Sequence, residues 1–160
     1  MAATIGLALG AALAGMWFGE DGASPGRAFI FAASISAAAG VLAFLACGAS
    51  RLPGRLFVGI AVCGLGPGGF GVGARDAAAA FNECVERGED VRIRLHDYRA
   101  RSGHYPDSLA ALTGAPLPCR RLLRGDLLSY RATATGYSLV FSDWLVEHVA
   151  TESHGFQPHK

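Results

Sequence analysis

The stretch Leu56-Phe-Val-Gly-Ile-Ala-Val-Cys63-Gly64-Leu-Gly66-Pro-Gly68-Gly69-Phe-Gly-Val-Gly73-Ala74 admits two readings, which lead to different folds. The first is a glycine-rich membrane helix. A helix rises about 1.5 Å per residue and the hydrocarbon core is about 30 Å thick, so about 17 to 25 uncharged residues cross it. The second is a dinucleotide-binding turn, because Gly64-Leu-Gly66-Pro-Gly68-Gly69 fits G-x-G-x-x-G. Leu56 to Cys63 would then be a strand, Phe70 to Cys84 the helix that meets a pyrophosphate, and Asp97 the ribose ligand after a second strand, Val91 to Leu95. Asp97 comes 33 residues after Gly64, later than the motif's usual spacing of about 20. Val-Arg-Ile-Arg-Leu also puts charge on one face, whereas a central parallel strand is buried on both. The membrane helix is the preferred reading. A small oxidoreductase using Gly64, Gly66, Gly69 and Asp97 is the alternative.

Working outward, two more uncharged stretches precede this one, Ala2 to Phe18 and Ala28 to Ser50. The expected architecture is a membrane domain over residues 1–75 with spans at about 2–18, 28–50 and 56–74. Composition agrees. Of the 27 charged residues only Glu20, Asp21, Arg27, Arg51, Arg55 and Arg75 lie in the first 75, and 16 of the 22 glycines precede residue 74. A hydrophobic fraction of 51% with 17% charge is more apolar than an ordinary soluble chain. The net charge of +1 leaves no basic excess for phosphates, so nucleic acid is not an expected partner. Membrane lipids and other transmembrane subunits are.

Trp17 and Phe18 close the first span just before Glu20 and Asp21, where interfacial aromatics belong. Ala12-Leu13-Ala14 has the small-x-small form of a signal cleavage site, but no Lys or Arg precedes it, so the span is expected to be retained. The connector Arg51-Leu-Pro-Gly-Arg55 carries two positive charges and no acid, which puts it and the N-terminus in the cytoplasm and the residues after 75 outside. Gly6 with Gly10, Gly64 with Gly68, and Gly69 with Gly73 recur every four residues, a spacing that lets helices approach closely in a bilayer. Pro67 should kink the third span.

The second half reads as α+β. Phe81, Cys84, Gly88, Val91, Leu95 and Tyr98 form one narrow helical face, with charges on the other faces, and Gly103 ends the helix. Pro106, Asp107 and Gly114 bound a short helix. Gly125-Asp126 reads as a turn. Leu127 to Thr133 and Tyr137 to Asp143 are two antiparallel strands joined at Thr135-Gly136, and Trp144 to Val149 offers a third. Residues 76–150 are thus a second domain and residues 151–160 a flexible tail.

Leu95-His-Asp-Tyr98, Gly103-His-Tyr105-Pro106-Asp-Ser-Leu109, Leu128-Ser-Tyr130 and Gly136-Tyr137-Ser-Leu139-Val-Phe141 together resemble the globular part of type II secretion pseudopilins and related pilin-like proteins. The resemblance spans about residues 76–143. It implies a long helix, a Gly-x-Tyr-Pro step into a short helix, and a small antiparallel sheet, with Tyr98, Gly103, Tyr105 and Pro106 in structural roles. Pilins carry a Glu five positions into the mature chain, and none follows Gly15-Met16 or Gly69-Phe70 at that place. The implied protein is therefore a pilin-like ectodomain on a multi-span anchor in a bacterial cytoplasmic membrane.

Cys47 and Cys63 fall in apolar spans and read as small core residues. Cys84 and Cys119 form an even pair in the half assigned outside, where they would form a disulfide; in a reducing compartment they would be free thiols. His96, His104, His148, His154 and His159 include no His-x-x-x-His pair, so no metal site is expected. Ser102, His104 and Asp107 can be grouped as a triad on paper, but no nucleophile elbow or oxyanion-hole motif accompanies them. The expected function is that of a non-enzymatic accessory or assembly subunit of an envelope complex, without cofactor. A periplasmic sensor or binding module is a further alternative.

Overall fold

The computed structural model describes residues 2–21, 24–47, 52–112, 118–133, 136–142 and 145–159, and divides the chain into two compact units, Met1–Ala77 and Ala78–Lys160. The division falls two residues beyond the expected boundary at 75.

Three helices enter the first unit: α1 (Ala2–Gly19), α2 (Pro25–Ala46) and α3 (Leu52–Ser102), the last continuing into the second unit. Pro25 starts α2, where its missing N–H costs nothing, and the Cys47 amide closes it on the Ala43 carbonyl. By length and composition α2 and α3 are long and apolar enough to cross a membrane, and α1 is a shorter apolar helix. Leu56 to Ala74 lies wholly within α3, with Pro67 inside it. The strand and turn of the dinucleotide alternative do not exist: a strand-to-helix corner is needed to present amides to a pyrophosphate, and Gly64, Gly66 and Gly69 lie instead along a continuous helix. Asp97 is on the same helix, 33 residues after Gly64, and belongs to the second unit. Ser50 and Arg51, at the expected second span's end and in its connector, lie outside the described residues.

The helices meet through small residues. A Cβ built on Gly69 or Gly73 would run into the backbone of Ala12 or Met16, and one on Gly15 or Gly19 into the backbone of Gly66 or Phe70, so α1 and α3 lie side by side and parallel. On the other flank of α3, Gly66 faces Ser36, and Gly59 and Cys63 face Gly40, with α2 running antiparallel. Phe18 stacks on Phe31 at 6.0 Å and Phe29 meets Phe70 edge-on at 5.3 Å.

In the second unit the expected face of α3 is the buried one. Cys84, Gly88, Val91 and Leu95 are buried with Phe81 packed beside them, against Tyr137, Leu139 and Phe141, the inward-facing residues of strand β4. The sheet is larger than the two or three strands expected. An antiparallel ribbon pairs β1 (Arg120–Arg121) with β2 (Gly125–Asp126), and a four-stranded antiparallel sheet runs in the order β3 (Ser129–Ala132), β4 (Tyr137–Ser142), β5 (Glu147–Thr151), β6 (Gln157–His159). Gly125 and Asp126, expected as a turn, are strand residues, and the turn is 122–124.

Two further expectations are corrected. Residues 151–159 of the expected tail are not free: Phe156 packs against Gly88 and sits edge-on to Phe141 at 5.1 Å, which docks β6 onto β5. The short helix after Pro106 shrinks to one 3-10 turn, Leu109–Ala111, because Ser108 at its start is extended and makes no side-chain cap. Gly114, Thr135, Asp143 and Trp144, named for the helix stop, the hairpin turn and the strand ends, lie outside the described residues.

Candidate functional site

The residues singled out from the pilin-like pattern converge on the end of α3. Gly103 adopts φ 78°, a left-handed conformation open to glycine, and its amide bonds to the Arg99 carbonyl at 2.8 Å, closing the helix. The chain then turns so that Tyr105 and Pro106 are buried. Tyr105 meets Tyr137 edge-on at 4.9 Å, and Tyr130 donates its hydroxyl to the Pro106 carbonyl at 2.6 Å. Tyr98 faces His104 at 6.1 Å. Tyr105 and Pro106 therefore fasten the helix end to the sheet.

Two arginines that the sequence pattern treated as solvated surface tighten this corner. The Arg99 guanidinium lies over the Tyr105 ring at 5.0 Å, donates to its hydroxyl and pairs with Glu152. Arg92, with a side chain only 16% exposed, bonds Glu89 at 2.7 Å and the Thr151 carbonyl at 3.2 Å. Burial alone would lower the Arg92 pKa, but hydrogen bonds to Glu89 and Tyr137 outweigh it and raise it. Burial also pushes the Tyr137 and Tyr130 hydroxyls above their ordinary value; for Tyr137, Arg92 acts in the opposite sense. Spacing gave no sign of Arg92 and Arg99, because they lie beside the apolar stripe and the partners that tie them to the sheet end, Thr151 and Glu152, are more than fifty residues away.

Cys84 and Cys119 are joined by a disulfide that ties the ribbon to α3. The Cys119 amide donates to Glu83 at 2.9 Å, holding the same junction a second way.

No family model, curated protein or solved structure matches this chain.

The arrangement offers binding and packing surfaces. Ser102 and Asp107 are exposed, and His104 turns its Nδ1 to the Ser102 carbonyl at 2.9 Å, so the paper triad does not assemble. Among the described residues, no three His, Cys, Asp or Glu side chains cluster closely enough to hold a metal ion. In the first unit the six glycines named for packing divide. Gly69 and Gly73 lie in the α1–α3 contact, whereas Gly6, Gly10, Gly64 and Gly68 have no atom within 4 Å of a built Cβ. Gly15, Gly19, Gly40, Gly59 and Gly66 make the remaining close contacts.

Proposed function

We propose that this chain is an integral membrane protein in which α1, α2 and the first part of α3 span the bilayer. They carry an extracytoplasmic pilin-like domain, and the protein serves as an accessory or assembly subunit of a larger envelope complex. The observation that carries this reading is the inverted packing of the first unit. Apart from Val62 and the acid Glu20, its buried residues are small, among them Ala11, Ala28, Ala32, Ser36, Ala39 and Ala43, while Ile5, Leu9, Leu13, Ile30, Phe31, Leu45, Phe57 and Ile60 are exposed. Water would drive the large side chains inward. Lipid gives them no such push, and there helices associate through small residues.

Charge spacing supports the same reading. Arg55 and Arg75 bracket an uncharged part of α3 about 30 Å long, one hydrocarbon thickness. The basic residue Arg55 at one end and the Cys84–Cys119 disulfide beyond the other favour a cytoplasmic Arg55 and an oxidising compartment for the second unit. The pilin-like assignment draws on the long helix, the buried Tyr105-Pro106 corner and the antiparallel sheet laid over α3. The open glycines Gly6, Gly10, Gly64 and Gly68 are what a partner's helix would need to approach closely.

The test is to extract membranes containing the native chain in mild detergent and size the product. The subunit role requires migration in a complex with other proteins, well above the 16.6 kDa chain in its micelle. A lone monomer in a micelle under every mild condition would contradict it.

A further inference from the structure

A groove of about 200 Å³ opens on the surface of the first unit between α2 and α3, lined by Gly40, Val41, Phe44, Leu56, Gly59 and Ile60, with the Cys63 side chain at its inner end. Its walls are apolar, and its floor is low because Gly40 and Gly59 have no side chains and the two helices touch there. Phe44 and Leu56 mark the end nearest the α2–α3 connection. At that end stands Arg55. Its guanidinium lies over the Phe44 ring at 4.9 Å and its Nε donates to the Phe44 carbonyl at 3.3 Å. Two contacts to one residue hold the group in place, and among the described residues its Nη atoms are left for another acceptor. Among the described residues no carboxylate lies within ion-pair distance of it.

We propose that this groove binds one anionic phospholipid, an acyl chain lying along Val41, Phe44, Leu56 and Ile60 and the phosphate accepting hydrogen bonds from Arg55. The inference rests on the membrane reading above. Charge decides the occupant. A fixed guanidinium with free donors recognises phosphate or carboxylate. The acids of the first unit, Glu20, Asp21 and Asp76, all lie near the far end of the helices, because Gly19 packs beside Phe70 and Ala74. That end is about 29 Å along α3 from Arg55. A second copy lying parallel would therefore bring no carboxylate to Arg55. A phospholipid brings its phosphate to the edge of the hydrocarbon, the depth at which Arg55 lies in a bilayer-spanning α3, and fills an apolar groove with its chain.

The test uses the full chain in detergent, titrated with phosphatidylglycerol or phosphatidylcholine and read by native mass spectrometry. The expected result is one tightly retained phosphatidylglycerol. Arg55→Gln should weaken it about five- to tenfold and phosphatidylcholine, whose choline offsets its phosphate charge, by clearly less, and Arg55→Lys should restore part of it. Ile60→Trp, at an exposed wall position, should weaken retention of both lipids and serves if the Arg55 variants do not fold. Equal retention of the two lipids by the wild type, or no loss in either variant, overturns the proposal. So does a dimer whose formation Ile60→Trp abolishes, since the groove would then hold a second copy. Displacement of the lipid by inorganic phosphate alone would show a headgroup contact without the groove and also overturns it. A chain that needs no detergent to stay in solution would instead remove the membrane reading beneath it.

Discussion

Gly73 of α3 lies against the Met16 carbonyl of α1 with no room between them for a side-chain carbon. The same holds for Gly69 against Ala12, four residues earlier on each helix, so the two glycines form a continuous track along which the backbones touch. Gly73→Ala must push α1 and α3 apart, at a cost of about 1–3 kcal/mol for overpacking. Gly64→Ala meets open space and should be neutral or gain up to about 1 kcal/mol of helix propensity. Thermal melting of the two variants in one detergent checks this. Equal destabilisation would mean that the track is not a contact.

The disulfide closes 35 residues of chain between α3 and the ribbon. In the chain-entropy picture a loop of that length is worth about 4 kcal/mol. Reduction, or Cys84→Ala with Cys119→Ala, should lower the melting transition of the second unit, read by near-ultraviolet circular dichroism, and leave the helical signal of the first unit unchanged. An unchanged transition would mean that the Cys119–Glu83 bond and the sheet alone hold the ribbon.

Phe156→Ala should cost about 2 kcal/mol, because the ring packs on Gly88 and Phe141 and anchors β6. A tail without packing would show no effect. Amide exchange at Gln157 and His159, which lie in the strand paired with β5, gives an independent reading of the same point.

Alkaline pH should weaken the second unit. Tyr130 and Tyr137 hold their protons more tightly in the folded chain than their ordinary value near 10, chiefly because they are buried. Above that value the unfolded chain loses protons that the folded chain still holds, so stability is full below about pH 10 and falls as pH rises through the raised values. The midpoint of urea unfolding followed from pH 8 to 11 should drop above 10, and Tyr137→Phe should flatten the drop.

Legibility from sequence followed the range over which each signal acts. The buried face of α3 from Phe81 to Leu95 was readable because helical periodicity is local and only one face is apolar, and the strands around Tyr130 and Tyr137 were readable from their alternation. The choice among glycines was not. In a stretch as glycine-rich as Gly64 to Gly73, a four-residue spacing occurs on several faces at once, and only the position of α1 selects Gly69 and Gly73 over Gly64 and Gly68. The docking of Phe156 leaves no mark in the sequence because one aromatic in a polar tail has no period. The ribbon strands, two residues each, are too short to leave a pattern. At the Tyr105 corner, Gly103 and Pro106 were visible from backbone chemistry, but the Arg99–Glu152 pair joins residues 53 apart, and nothing local announces it.

The central claim is that the first unit turns its large apolar side chains toward lipid. Spin labels placed one at a time at Leu13, Ile35 and Ile60, with Cys47 and Cys63 replaced by Ala, measure this directly in reconstituted bilayers through their collision rates with oxygen and with a polar nickel chelate. All three positions are exposed, at 52%, 40% and 69%. The expected result is oxygen access well above nickel access at each of them, as in hydrocarbon. Nickel access equal to or above that of oxygen would place these faces in water and contradict the claim.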